Sequence, residues 1–529
     1  MTILMVVVGL VLLIACANLA GLLLARSAGR QREVAVRLAV GASRGRLVRQ
    51  LLIENLMVAA AGGAAALLIA RWTSGMLALF VPPTPYPIGF HASLSLRVVG
   101  FSIALTAVTA IVSGLLPALR GSQSDVAVAL KEAAPASVGG ARGRLRQGLV
   151  VAQVALSLLL LVGAALFLRS LARAQSMDVG YSARQGFMAS MDLLAGGYDQ
   201  ERGLAFYQQA LARISTLPDV THASVATALP LDISSGSDTN VDVEGYVPRK
   251  DEPMHAYYNR VGPDYFETLG VDIVEGRGIT ARDIAAQPRV VVINETMAKR
   301  YFQGRSAIGG KLRFGSGPAT VVGVARDGKY SQLTEAPRNY MYMAILQSYR
   351  PEGILLVRTA NEPAGTLAAV QRELRALDAS LPLFDVRTMA EHRQVGLFIP
   401  KMASTLLGLF GVLALILAVV GLYGVVAYGV TQRTREIGVR VALGAARRDV
   451  AWLVLRQGLG LAAIGLAAGL LLAFAAGRLL AKQLVGISAT DPISFGGTAI
   501  LLLLVAAVAS ALPARRAASL DPLAALRRD

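Results

Sequence analysis

At 529 residues, with 54% hydrophobic and 16% charged side chains and a mean hydropathy of +0.54, the chain is too apolar for a soluble enzyme and too long to lie wholly within a bilayer. Its composition requires an integral membrane protein with one sizeable soluble domain. The formal charge of +18 would admit nucleic acid as a partner, so the position of the excess decides.

Uncharged runs long enough to cross a bilayer, about 20 residues, occupy 3–25, 98–119, 147–168, 402–432, 457–477 and 492–514. A seventh span near 52–80 is interrupted by Glu54 and Arg71. Four polar segments then share one side: 26–52, 120–146, 433–456 and 515–529. They hold 7, 5, 6 and 4 Lys+Arg against 1, 2, 2 and 2 Asp+Glu, which accounts for +15 of the +18. Positive charge beside spans marks the cytoplasmic side. The basicity is therefore topological, and nucleic acid drops out as a partner. Seven spans ending inside place Met1 and residues 171–400 outside. Met1 leads almost directly into the first apolar run, with no basic n-region or small-residue cleavage pattern, so this run reads as a retained span. The single cysteine, Cys16, lies within it and leaves the external domain without disulfides or a cysteine metal site.

After the first span comes REVAVRLAVGAS (Arg32 to Ser43), and after the 402–432 span comes REIGVRVALGAA (Arg435 to Ala446). The offset of 403 pairs Glu33 with Glu436, Arg37 with Arg440, Gly41 with Gly444 and Arg44 with Arg447. LPALRGSQSDVAVALKE from Leu116 matches LPARRAASLDPLAALRR from Leu512 at an offset of 396. Each unit thus reads as span, basic helix, span, outer loop, span and proline-containing exit, the mark of a duplication. Within each basic helix the Glu–Arg pair at i,i+4 is worth about 0.3–0.5 kcal/mol. Gly41 and Gly444 suit the left-handed residue that ends a helix, and Ser43 suits the next N-cap, which the second copy replaces with Ala446. Two functions fit such a helix: arginines holding lipid headgroups, or a docking surface carrying force from a cytosolic partner. Two equivalent surfaces suit a two-fold partner, which favours docking.

Between the units lie a basic linker (AAPASVGGARGRLRQ), the 147–168 span and an external domain of α+β type. Leu204, Tyr207, Leu211 and Ile214 form one helical stripe, and Leu367, Val370, Leu374 and Leu377 another. VVVIN at 290, TVVGVA at 320, YMYMAI at 340 and ILLVRT at 354 read as strands.

The order span, R-x-R-E-x-x-x-R-x-A-x-G-A from Arg30 and again from Arg433, span, span, L-P-A-x-R resembles the FtsX-like permeases of ABC transporters, of the MacB type. FYQQALARISTLPDV, VGPDYFETLGVDIVEGRGIT, VVVINETMAKRYFQGRSAIGGKLRF and TVVGVARDGKY resemble their periplasmic core domain. The resemblance covers nearly the whole chain. It implies a polytopic α-helical membrane protein of about seven spans with one α+β extracytoplasmic core domain, in a bacterial inner membrane with the C-terminus cytoplasmic. The expected division is permease unit 1 over 1–120, a cytoplasmic linker over 121–146, a span over 147–170, the external domain over 171–400 and permease unit 2 over 401–529. The resemblance further implies that Arg32, Glu33, Arg37, Gly41 and Arg44, with Arg435, Glu436, Arg440, Gly444 and Arg447, form the coupling helices that touch a cytosolic ABC ATPase dimer. That ATPase would hold ATP and magnesium, the chain itself carrying no cofactor and no catalytic residue. Membrane lipid and periplasmic adaptor or outer-membrane components complete the implied partners. A complete first unit of this family begins with a further span and its own external domain, so the sequence matches a truncated or reduced form.

Four other signals are read as bland. GVARDGK (Gly323 to Lys329) has P-loop spacing, but Tyr330 stands where Ser or Thr must hold magnesium. His91, His222, His255 and His392 lack metal-ligand spacing and read as ordinary outer-face residues. Tyr257, Tyr258 and Phe266 read as core rather than groove aromatics, and Gly465 with Gly469 permits close helix packing. No Asp, Glu or His lies at mid-span, against a proton-coupled carrier. The alternative to a permease subunit is a membrane-anchored envelope binding or scaffold protein without ATPase coupling.

Overall fold

The long apolar runs have no water partner for their backbone groups, so they close every hydrogen bond internally as helices. The computed structural model describes residues 2–29, 43–77, 95–122, 141–182, 185–232, 237–315 and 317–519. They form a helical unit, drawn from the chain up to Arg173 and from Pro400 onward, and an α+β unit spanning Ala174–Ile399. Helices α1 (Thr2–Gly29), α2 (Arg44–Leu77), α3 (Leu96–Ser122) and α4 (Ala141–Ser176) come first. At about 1.5 Å per residue, the 36 residues of α4 reach about 54 Å, well beyond a hydrocarbon layer of about 30 Å. Its helix therefore starts inside the stretch read as linker. Val48–Thr73 of α2 is apolar enough to span despite Glu54 and Arg71, and α3 contributes the apolar stretch Leu96–Ile111.

In the α+β unit the strands are β1 (Gly186–Asp192), β2 (Val220–Ala226), β3 (Asp238–Asn240), β4 (Asp242–Val243), β5 (His255–Val261), β6 (Ile273–Gly276), β7 (Val290–Asn294), β8 (Lys311–Phe314), β9 (Gly317–Ala325), β10 (Tyr340–Ala344), β11 (Glu352–Thr359) and β12 (Leu383–Thr388). They make one mixed sheet in the order β12-β1-β11-β2-β5-β10-β7-β9-β8-β4, with β3 on β5 and β6 on β9. The four strand segments read from sequence are β7, β9, β10 and β11. Its helices are α5 (Gln200–Ile214), α6 (Tyr265–Leu269), α7 (Glu295–Phe302), α8 (Pro363–Leu377) and α9 (Met389–Gly396). α5 and α8 share a core with Phe187, Val225, Leu355 and Val357, while α7 covers Val291, Ile293, Val321 and Met341. Starts are fixed by side chains that satisfy the free N–H groups of a first turn: Asp199 accepts from Arg202 N at 2.8 Å, Asn294 from Met297 N at 3.1 Å, and Thr388 with Glu391 forms a capping box.

The chain ends in α10 (Phe398–Gln432), α11 (Thr434–Ala442), α12 (Arg447–Leu480) and α13 (Pro492–Ala518). α4 is the most enclosed spanning helix, and its Val154, Leu158, Val162 and Leu166 share a buried cluster with Ile14, Ala414, Leu422, Ala462 and Ala506. Apolar residues such as Leu409, Ile416, Ile464, Leu471 and Leu504 point outward, as a lipid-facing surface requires. The glycines at 465 and 469 do sit at a close interface: a β-carbon on Gly465 would lie 2.7 Å from Val154 Cβ, and one on Gly469 2.8 Å from the Ala155 carbonyl oxygen.

Polar side chains stitch this apolar bundle. Asn18 Nδ2 donates to the Leu417 carbonyl at 3.2 Å, as does the Gln153 amide, and Ser157 Oγ donates to the Ala414 carbonyl at 3.1 Å. Arg146 is buried; its Nη2 donates to the Gly424 carbonyl at 2.6 Å and its guanidinium lies 4.2 Å from the Tyr428 ring centroid. Arg169 pairs with Asp491, the N-cap of α13, and Val485 N donates to Ser170 Oγ at 2.7 Å.

Candidate functional site

The second basic helix is α11, held between α10 and α12 by two breaks. Thr434 Oγ1 donates back to the Thr431 carbonyl at 2.8 Å, and Arg433 N reaches the carbonyls of Gly429 and Val430. At the far end Gly444 adopts φ +95°, Gly444 N bonds the Val441 carbonyl at 3.0 Å and Ala445 N bonds the Arg440 carbonyl at 3.0 Å. These two bonds define a Schellman ending, in which the left-handed residue turns the chain so that the last carbonyls are satisfied. Ala446 then begins α12 with no side-chain cap, as its identity dictates, and Asp449 supplies the negative charge of the first turn.

One face of α11 is anchored. Ile437 is only 2% exposed and joins the core of the helical unit, Gly438 is buried, and Val441 packs against the same core. On the other face Glu436 Oε1 accepts from Arg440 Nη2 at 2.6 Å while Arg433 Nε stands 4.0 Å from Glu436 Oε2. Leu443 is 83% exposed at the tip, beside exposed Gly444, Arg447 and Arg448. Arg435 lies in the first turn of α11. Arg32, Glu33, Arg37 and Gly41 lie outside the described residues, and Arg44 is the first residue of α2. Sequence spacing identified the charged face; it missed Arg433 as the second cation on Glu436 and Leu443 as an apolar tip. The signal for Leu443 is a leucine directly before the turn glycine, off the i,i+4 stripe of Ile437 and Val441.

The chemistry of this elbow is that of a binding surface. It offers a guanidinium–carboxylate pair whose charges are already oriented, and a leucine whose burial against a partner would be worth about 1.5–3 kcal/mol. Among the described residues no group of three or more His, Cys, Asp or Glu is placed to hold a metal.

The remaining sequence signals resolve into structure. After β9 the GVARDGK segment enters a loop, and Asp327 accepts from Thr296 N at 3.0 Å, Thr296 Oγ1 at 2.7 Å and Asn294 Nδ2 at 2.7 Å, fastening the start of α7. His392 corrects the outer-face expectation: it is buried, with Nε2 2.8 Å from the Pro230 carbonyl oxygen, and desolvation holds its pKa below the usual histidine value. Phe266 is fully buried and Tyr258 packs on the core. Glu252 joins Arg249 N at 2.9 Å, Arg300 Nη2 at 2.7 Å and Tyr246 OH at 2.9 Å. The Arg249 backbone N–H, then the Arg300 guanidinium and the Tyr246 hydroxyl, lower its pKa to about 2.

Comparison with known proteins bears on the whole chain. The family model described as FtsX-like permease C-terminal matches residues 5–126 and 408–522, and the model described as MacB-like periplasmic core domain matches 148–377. A macrolide export ATP-binding/permease protein MacB from Agrobacterium fabrum is 27% identical over 430 residues, covering 77% of this chain and 65% of the relative. The MacB of Acinetobacter baylyi is 29% identical over 293 residues, covering 53% and 44%, and the pyoverdine export ATP-binding/permease protein PvdT of Pseudomonas entomophila is 27% identical over 339 residues, covering 62% and 49%. The chain thus spans between about two fifths and two thirds of the length of these relatives. Among solved structures, the periplasmic region of MacB from Actinobacillus actinomycetemcomitans aligns with 17% identity and a TM-score of 0.28, over 40% of this chain and 91% of that one.

Proposed function

This chain belongs to the FtsX/MacB-type family of ABC transporter permeases, and on that premise we propose that it passes the ATP-driven motion of a separate cytosolic ATPase dimer to its α+β unit, which handles cargo for export or within the envelope. The observation that carries this reading is the elbow: α11 is anchored by Ile437 on one side and bears an oriented Glu436–Arg440 pair and the projecting Leu443 on the other. A rigid element with one face fixed in the bundle moves the bundle when its other face is pushed. The duplicated Arg32–Arg44 segment supplies the second handle for a two-fold partner. ATP and magnesium belong to that partner, whose role matches the printed names of the curated relatives as ATP-binding/permease proteins. The basic segments and the C-terminus face the cytoplasm under the positive-inside bias, and 171–400 faces the periplasm, where an adaptor or outer-membrane component would meet it.

The test is co-purification of the tagged full chain with its ATPase and the ATPase rate of the complex in lipid. Arg37→Glu with Arg440→Glu abolishes stimulation of ATP hydrolysis while the chain still reaches the membrane. Undiminished binding and stimulation in the double variant, or labelling of Arg440→Cys by an impermeant thiol reagent from outside the cell, refutes the assignment.

A further inference from the structure

A shallow apolar groove of about 360 Å³ runs between α10 and α13, lined by Val419, Val420 and Tyr423 on one side and Leu504, Val508 and Leu512 on the other. Along α13 the residues at 504, 508 and 512 form a ridge with a spacing of four, and the next member of that ridge is Arg516. Arg516 Nη1 donates to Tyr423 OH across the end of the groove at 2.9 Å. The tyrosine hydroxyl is the one polar side-chain group among the lining residues, and it positions the guanidinium there.

That arrangement has a head and a tail. A guanidinium carries five donors in a fixed fork that matches phosphate geometry, so four N–H donors remain beyond the one given to Tyr423. The rest of the groove offers only methyl, methylene and ring surface to an occupant. A transmembrane helix seated here would set apolar side chains against the arginine; an amphiphile with one charged end matches both parts. Arg515 would serve the helix dipole of α13 equally well, but it is not on the groove ridge.

We propose that the α10/α13 groove binds one acyl chain of an anionic phospholipid drawn from the surrounding bilayer, with the lipid phosphate on Arg516. The proposal does not rest on ATPase coupling.

The experiment is native mass spectrometry of the delipidated full chain in detergent, titrated with phosphatidylglycerol or with phosphatidylcholine of the same acyl chains. One arginine near a membrane surface favours an anionic lipid by about fivefold in affinity, and the first adduct should show that preference. Arg516→Ala removes the preference, Arg516→Lys retains most of it, and Val508→Trp with Leu512→Trp weakens adducts of both lipids by filling the groove. Equal affinity for the two lipids in the unaltered chain, or an unchanged preference in Arg516→Ala, overturns the proposal. So does a dimer whose formation is abolished by the tryptophan pair, which would make a second copy the occupant. Inorganic phosphate competing as well as the lipid would assign the arginine to a free anion and also overturn it.

Discussion

The contact of α12 with α4 makes the sharpest stability prediction, because it rests on atoms that are not there. A β-carbon on Gly465 would stand 2.7 Å from Val154 Cβ and 2.9 Å from the Val151 carbonyl oxygen; one on Gly469 would stand 2.8 Å from the Ala155 carbonyl oxygen and 3.0 Å from Leu158 Cβ. Non-bonded carbon contacts are comfortable near 3.5–4.0 Å, so α12 has to retreat by roughly 0.7–1 Å along its length or bend. Overpacking of this kind costs about 1–3 kcal/mol per site. Against that, replacing a helical glycine by alanine gains up to about 1 kcal/mol in propensity. Gly460, on the same helix with nothing within 4 Å of its notional β-carbon, isolates the second effect. Gly465→Ala and Gly469→Ala should therefore melt below the parent in thermal denaturation of the full chain in one detergent, and Gly460→Ala at or above it. The gap between the two classes corresponds to about 1–3 kcal/mol. The pair together should cost less than the sum, since both push the same two helices apart. If Gly469→Ala melts with Gly460→Ala, the close approach does not hold α12 to α4 and the reasoning fails.

Three further outcomes are expected. Gly444→Val, at φ +95° with open space around it, meets only backbone strain of about 1–2 kcal/mol; limited proteolysis of the full chain should then cut faster between Val441 and Arg447, and an unchanged cleavage rate would contradict the Schellman ending. Asp327→Ala removes the acceptor of Thr296 N and Oγ1, while Asn294 Nδ2 keeps the Tyr330 hydroxyl and the Arg338 carbonyl; the unpaired Thr296 donors cost about 1–3 kcal/mol, and hydrogen exchange should speed up at Thr296 while distant strands stay protected. Glu252 has its folded pKa lowered to about 2 from 4.5, so its stabilising effect is complete above about pH 4.5 and is lost as the pH falls toward 2. The melting gap between the parent and Glu252→Gln should therefore close across that window, and a gap of constant size would show that the carboxylate contributes no pH-linked stability.

The helical unit was legible because a run of twenty uncharged residues has few other fates, and the elbow because Gly444 and its i,i+4 pair are local signals. The side-chain stripes were legible only in part. On α5 the wholly buried positions are Gly203, Phe206, Tyr207, Ala210 and Ile214, whereas Leu204 and Leu211 are only partly buried. Ranking by aliphatic size hides Gly203, which is buried because the Tyr349 ring fills the space a side chain would take. What escaped altogether was set by distant partners. Arg146, read as part of a cytoplasmic linker, is buried because Gly424 and Tyr428, far along the chain, receive it. His392 is buried because the Pro230 carbonyl lies across from it. The anchoring of α11 through Ile437 depends likewise on a core assembled from every spanning helix of the second unit.

The stitched contacts bear on how a push at the elbow could travel. Lipid tails are as apolar as the helices, so burial alone gives spanning helices little preference for one another over the bilayer; close packing and hydrogen bonds supply it. Here the donors of α1 and α4, Asn18, Arg146, Gln153 and Ser157, all end on backbone carbonyls of α10, at Leu417, Gly424, Leu417 again and Ala414. Backbone carbonyls cannot rotate away as side chains do, and three of them spread over nearly three turns fix the register of α4 along α10. At about 0.6 kcal/mol for each such bond, the three from α4 are worth roughly 1.8 kcal/mol, enough to disfavour sliding by one turn and too little to forbid it. Under the proposed coupling, a displacement of α11 would reach α10 through one residue and α12 through the four-residue turn at Leu443–Ala446, and the polar seam would tie α4 to α10.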